Sequence, residues 1–319
     1  MSAIRRQGRI NDNTTLIDIG MAGTYGMTAV YLVKGDKSCL IDGGTRTEAR
    51  ALVRMLSAAD AFPPDYVLVT HPHWDHAQGI PFLRREASRR GKEIEVLAAH
   101  DALPLLADPS FNSPFNRGPY EAIRNVTALH EGDTVDLGGV TLRIFELPGH
   151  CTGHIAALDE ATGTIFVGDA LGDKVADDIF LPAFMPPTWD ADAFQASIGK
   201  LKGIVYQALC LAHFGCIVGS EAHTILDEAV SVWRTWWQFY ERHAPQLSDN
   251  NYLLRAMRQE LKPGTPPLRP TSTVQQLLLA IVTAVGGLTG TKTAILDRLA
   301  YADALQWLAT GYRMYTASQ

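Results

Sequence analysis

Apolar residues recur along this chain with two periods, and the change between them falls near residue 220. Before it, short runs rich in Val, Ile, Leu and Thr alternate with amphipathic stretches, and Gly, Asp and Pro fill the turns. The pattern predicts strands at Thr15–Ile19, Ala29–Val33, Ser38–Asp42, Tyr66–Thr70, Glu95–Ala98, Val140–Glu146, Ile155–Leu158, Thr164–Gly168 and Leu209–Ala212. Helices are expected at Thr45–Ala58, Ile80–Arg90, Ala191–Leu201 and Glu221–Glu241. The fold class is α/β, and closely spaced short strands suit antiparallel meanders better than a purely parallel sheet.

From residue 222 only the helical period remains. Ile225, Ala229, Trp233, Trp236 and Tyr240 form one stripe, read as packing surface. The segment Lys262–Pro270 breaks the helices, and two more should follow at Thr273–Val285 and Thr291–Thr310. Leu277–Val285, the most apolar stretch, falls short of the ~20 residues needed to cross a bilayer and stops at Gly286 and Gly287, so it reads as a buried helix.

Composition narrows the classes. A chain of 319 residues, 46% hydrophobic, can fill a sizeable core. A net charge of −6 with dispersed basic residues gives no electrostatic case for nucleic acid, and Arg84, Arg85, Arg89 and Arg90 read as a solvated helix face. Met1–Asn13 lacks the apolar run of a secretory signal. Cys39, Cys151, Cys210 and Cys216 show neither C-x-x-C spacing nor disulfide-scaffold density. A cytoplasmic protein with reduced thiols and no membrane partner is expected.

The chemistry concentrates after the strand Tyr66–Thr70, where His71, His73, Asp75 and His76 fall within six positions. An extended backbone directs His71 and His73 to one side, and a turn after Trp74 brings Asp75 and His76 to a neighbouring point. Two adjacent metals can be served. Imidazole and carboxylate donors suit Zn, Fe or Mn, and the absence of Cys argues against a closed structural zinc site.

Through Thr70-His71-Pro72-His73-Trp74-Asp75-His76 the chain resembles the metallo-β-lactamase superfamily, particularly its glyoxalase II-like and lactonase-like branches. The likeness runs on through Ser38–Gly44, Leu147–His154, Thr164–Ala170 and Ala212–Gly215. It implies a four-layer αββα sandwich over residues 1–221, and an all-helical extension over 222–319 that caps the active-site cleft. It also implies two divalent ions, zinc foremost with iron or manganese as alternatives. His71, His73 and His150 would hold one ion, Asp75, His76 and His213 the other, and Asp169 would bridge them. Two cations sharing a carboxylate can share a water and lower its pKa, so that a bridging hydroxide attacks near neutral pH. Asp75 and Asp169 are the expected catalytic carboxylates, Asp75 orienting that hydroxide.

Around this set, Asp42 is expected to accept a hydrogen bond from a ligand histidine. His154 is expected to be structural and Cys151 a buried, inert thiol. His100, His130, His223 and His243 read as ordinary surface or helix histidines. Asp169 points away from true β-lactamases, and His73 from the usual flavodiiron pattern. No basic arm of the RNase Z type is found. The expected reaction is hydrolysis of a small ester-type substrate, thioester or lactone favoured and phosphoester admitted, with Trp236, Phe239 and Tyr240 as candidate pocket walls. Two other classes stay open, a ligand-binding or signalling effector that retains the metals and a di-iron redox protein. A homodimer through Leu277–Val285 is also expected.

Overall fold

The computed structural model describes residues 3–4, 6–264 and 268–319, so the middle of the expected break at Lys262–Pro270 lies outside the described residues. Two seven-stranded sheets form its centre. The first runs β2 (Gly8–Arg9), β3 (Thr14–Asp18), β4 (Ala29–Lys34), β5 (Ser38–Ile41), β6 (Tyr66–Val69), β7 (Glu95–Ala99) and β8 (Val126–Leu129) in sequence order. The second runs β1 (Ala3–Ile4), β16 (Gly215–Val218), β15 (Ala208–Leu211), β12 (Thr164–Gly168), β11 (Ile155–Asp159), β10 (Thr141–Glu146) and β9 (Thr134–Asp136). A hairpin of β13 (Asp173–Ala176) and β14 (Ile179–Leu181) stands apart.

The expected antiparallel meander holds for only part of this. β5, β6, β7 and β8 pair in parallel, as do β12 and β15. The reason is the helical crossover: α1 (Ala49–Ala58), α3 (Ile80–Ser88) and α5 (Ala191–Gly203) each carry the chain back before the next parallel strand begins. The short elements α2 (Trp74–Ala77) and α4 (Leu103–Ala107) complete this part.

Strand alternation splits the core in two. Along β11, Ile155 and Ala157 face the core between the sheets, while Ala156 and Leu158 face the helices outside. Phe166 and Cys210 point inward, with Ile165, Val167, Leu209 and Leu211 outward. Both faces of these strands are therefore buried, which gives the order helix, sheet, sheet, helix.

Helices α6 (Glu221–Arg242), α7 (Asn250–Glu260), α8 (Thr273–Leu288) and α9 (Lys292–Ser318) form the C-terminal part. The aromatic stripe of α6 packs as read: Trp236, Phe239 and Tyr240 are buried, and the Tyr240 hydroxyl donates to the Leu305 carbonyl of α9 at 2.9 Å. Helix α7 was not expected. Its signal is the cap at Asp249, whose carboxylate accepts from the Tyr252 N–H at 2.9 Å. Seven strands of two to four residues, β1, β2, β8, β9, β13, β14 and β16, were also missed.

The buried reading of Leu277–Val285 is overturned. Leu277, Leu278, Ile281, Val282 and Val285 are between 38% and 62% exposed, because α8 rests on α9 through its small Gly286 and leaves most of its surface free. No helix among the described residues is long and apolar enough to cross a membrane.

A bidentate ion pair fixes α9 on α7. The Arg258 guanidinium donates from Nε to Asp297 Oδ2 at 2.8 Å and from Nη2 to Oδ1, and Asp297 is buried. Replacing Asp297 by Ala leaves the guanidinium without its fork-shaped acceptor and is expected to cost about 2 kcal/mol. Urea unfolding checks this, and an unchanged midpoint would count against the pair as the fastening of the C-terminal helices.

Candidate metal centre

The site forms where both sheets end. Strand β6 delivers His71 and His73, and α2 turns immediately to place Asp75 and His76. His150 lies in the β10–β11 loop, Asp169 directly follows β12, and His213 lies between β15 and β16. The two sheets are tied together here by the Ile155 N–H, which donates to the Thr70 carbonyl at 2.8 Å.

All seven expected side chains converge. Asp169 Oδ2 stands 3.2 Å from His76 Nε2, 3.6 Å from His213 Nε2, 3.8 Å from His71 Nε2 and 3.9 Å from His150 Nε2. His73 Nδ1 is 3.1 Å from His71 Nε2 and 2.9 Å from His150 Nε2. Asp75 Oδ2 is 3.1 Å from His213 Nε2. Two of the clusters whose donor atoms lie within 4.8 Å of one another match the expected division, His71 with His73 and His150, and Asp75 with His76 and His213.

Four of the five imidazoles, all but His73, are aimed from behind. His150 Nδ1–H donates to the Ala183 carbonyl at 2.7 Å, and His213 Nδ1–H to the Met27 carbonyl at 2.6 Å. Asp42, held at φ 67° beyond β5, accepts from His76 Nδ1–H at 2.8 Å and from the Thr70 N–H at 2.8 Å. The Thr70 hydroxyl donates to the same carboxylate and stands 3.1 Å from His71 Nδ1, where it accepts. Asp42 thus orients two histidines, one directly and one through Thr70. The expectation had given it one, and Thr70 had not been singled out.

The donor set fits a pair of cations. His71, His73 and His150 turn three ring nitrogens toward one another with at most one proton to share among them, so lone pairs face lone pairs. Asp169 Oδ1 is buried with no hydrogen-bond partner. An unsatisfied carboxylate oxygen of this kind is costly unless a further group binds it.

Electrostatics divides the site. Burial, reinforced by the neighbouring histidines, holds His71 and His73 well below the usual imidazole range and also lowers His150. Burial opposes charge at His76 and His213 as well, but there Asp169 and nearby carboxylates outweigh it. His76 rises well above its ordinary value, and His213 is pushed up to about 10. Burial would likewise raise Asp75 and Asp169, yet His76 and His213 hold both below the usual carboxylate range. One side is thus built of imidazoles alone, the other of interleaved carboxylates and imidazoles.

The remaining candidates fall outside the centre. His154 accepts the Asp169 N–H at 3.2 Å and stacks on His71, a structural part. Burial pushes the Cys151 thiol well up, which leaves it inert. His100 stacks on His130, His223 on Tyr206, and His243 bonds Tyr252 and Glu260.

The centre floors a cleft of about 340 Å³. Its walls correct the expectation for Trp236, Phe239 and Tyr240, which are spent inside the helical core. The wall comes instead from α9, with Tyr301 and Trp307, and from Phe115, Met185 and Leu181. Trp307 Nε1–H donates to the Phe115 carbonyl at 3.2 Å, and Arg117 pairs with Asp303 while lying over the rings of Trp74 and Trp307. The segment before α8 closes the other side, since Tyr25 N–H donates to the Arg269 carbonyl and Thr271 N–H to that of Gly23. Asp173, at the start of β13, also reaches the floor. A lone Arg117, Asp173 or Trp307 carries no signal in sequence, since only the folded chain brings each to the cleft.

Comparison with known proteins agrees with this geometry. The family model for the metallo-beta-lactamase superfamily matches residues 23–213. A probable metallo-hydrolase, YqjP of Bacillus subtilis, is 30% identical over 46% of this chain and 53% of its own. A hydroxyacylglutathione hydrolase of a Methylobacterium species is 31% identical over 39% of this chain and 40% of its own. The chain therefore spans about half or less of the length of these relatives. Among solved structures, a superfamily protein from Sulfolobus tokodaii, ST1585, superposes with a TM-score of 0.55 at 20% identity, over 69% of this chain and 86% of its own. BJP-1, a subclass B3 metallo-beta-lactamase of Bradyrhizobium japonicum, gives 0.55 at 18% identity over 77% and 96%, a likeness of fold alone. With its two mixed sheets and the family match across well over half its length, the chain belongs to the metallo-β-lactamase superfamily.

Proposed function

We propose that this protein is a dinuclear metal-dependent hydrolase of a small ester-type substrate, a thioester or lactone in preference to a phosphoester. One observation carries the reading: seven imidazole and carboxylate side chains converge on the floor of a cleft whose walls are largely apolar. His71, His73 and His150 would hold one ion, Asp75, His76 and His213 the other, with Asp169 between them. Two divalent cations supply Lewis acidity there, acidifying a water and polarising an acyl carbonyl. Zinc suits the three-imidazole position best.

The chain's own groups supply the rest. Asp75 and Asp169 offset cationic charge and fix the direction of His213 and His76. Asp42 keeps His71 and His76 in the tautomer that leaves Nε2 toward the centre. Phe115, Trp307, Met185 and Leu181 exclude water and match the apolar part of an acyl compound. Residues 222–319 act as the cap in this reading, since α9 forms one wall. The hydroxyacylglutathione hydrolases among the relatives support a thioester, and the net charge of −6 does not favour a polyanion. The four cysteines are all free and buried, which suits a reducing compartment such as the cytoplasm.

The bare face of α8 supports a homodimer. Thr273–Leu288 carries no charged residue, and its exposed apolar side chains exceed the scattered singles normal on a monomer. The same face favours a second reading, in which the metal centre is kept while partner contacts carry the biological action.

Two outcomes follow. Asp169→Ala is expected to lower kcat/KM on acyl thioesters or lactones by on the order of 100- to 1,000-fold. Turnover of phosphodiesters alone would contradict the substrate class, and a cellular phenotype that survives the lost turnover would favour the effector reading. Light scattering should give the mass of a dimer for the native chain and of a monomer for the Leu278→Asp, Ile281→Asp double variant; a monomeric native chain would contradict the interface.

A further inference from the structure

The family pattern accounts for seven side chains, and an eighth reaches the same place. Asp173 lies four residues beyond Asp169, after a turn closed by the Gly172 N–H, which donates to the Asp169 carbonyl at 3.0 Å. That turn tolerates no other residue: Gly172 has φ +95°, and a Cβ there would stand 2.3 Å from the Leu181 carbonyl oxygen. Asp173 then enters β13 paired with Leu181, so its position is set by a hairpin and not by a loose loop. A carboxylate oxygen of Asp173 falls with donor atoms of Asp169 and His213 in one cluster within 4.8 Å.

This carboxylate faces the imidazole of His213. Among the described residues no hydrogen bond reaches the carboxylate, and the adjacent Lys174 is directed away to Glu228 at 2.6 Å. In the same cluster Asp169 has its Oδ1 buried without a partner, although Oδ2 lies amid four imidazoles. Two carboxyl groups in one cluster, one of them with an unpartnered oxygen, make a costly arrangement without a cation.

We propose that Asp173 is an additional oxygen ligand at the metal position formed by Asp75, His76 and His213, which makes the two positions chemically unequal. The proposal rests on the metal reading above. The first position offers three imidazoles and a share of Asp169. The second offers Asp75, Asp173 and the rest of Asp169 with two imidazoles. Imidazole-rich sets favour zinc, whereas carboxylate-rich sets accommodate manganese or ferrous iron, which tolerate higher coordination numbers. The inequality is built by a residue that the family motif does not contain.

The test measures metal binding and needs no substrate. Purified, metal-free chain is titrated with Zn²⁺ and with Mn²⁺ against a chromophoric chelator, and the bound ions are counted by mass spectrometry of the metals. The native protein is expected to take two ions, with Mn²⁺ displacing Zn²⁺ more readily at one position than at the other. In Asp173→Asn, which keeps the size and removes the charge, one ion should bind as before and the other about 10- to 100-fold more weakly, with Mn²⁺ affected more than Zn²⁺. Asp173→Ser serves the same purpose if the amide variant does not fold. Two ions bound with native affinities in a folded variant would overturn the role of Asp173 and leave the dinuclear reading intact. A native chain that binds no ion, or one, would overturn the dinuclear reading and the proposal with it.

Discussion

The structure depends on one buried carboxylate oxygen. Asp169 Oδ2 lies within 3.9 Å of four imidazole nitrogens that reach it from three separate segments of the chain. A carboxylate this deeply buried is costly unless positive charge or donated hydrogen bonds surround it. In the chain itself His76 and His213 meet that requirement, and their displacement from the ordinary imidazole range is its electrostatic mark. The sheet ends, the turn at α2 and the carbonyls of Met27 and Ala183 all serve to hold those rings in place. Asp42 does the same from behind, so that a strand-end aspartate in one sheet governs two rings facing the aspartate of the other.

The C-terminal helices matter to this centre through what they exclude. The floor of the cleft is polar and charged, while α9 and the Phe115 segment give it apolar walls. Apolar walls strengthen electrostatic interactions at the floor. Contact runs through few but specific links: Arg258 to Asp297, Tyr240 to the Leu305 carbonyl, Trp307 to the Phe115 carbonyl. The first two hold the helices to one another and the third joins them to the Phe115 segment, while α6, α7 and α9 share apolar contacts with the second sheet. The cleft and the core are therefore stabilised together.

The sequence revealed the positions of His71, His73, Asp75 and His76 because they lie side by side after a strand with an unmistakable apolar run. His150, Asp169 and His213 were legible only through resemblance, since nothing local connects residues more than 60 positions apart. Asp173, Thr70 and Arg117 were not legible: each is a common residue whose importance comes from a turn, a backbone hydrogen bond or a ring stacked on it in space. The strands with clear alternation were placed to within a residue or two, and the short β9, β13 and β16 were lost for want of a period. The failure at Leu277–Val285 is of another kind. Hydrophobicity reports that a surface prefers to be covered, and it does not say whether the cover lies within the same chain.

The central claim, that two ions share Asp169, is tested most directly by crystals of the metal-loaded protein measured across the metal absorption edge. The account predicts two anomalous peaks on opposite sides of Asp169, one beside His71, His73 and His150 and the other beside Asp75, His76 and His213. A single peak, or a pair lying away from Asp169, would contradict it.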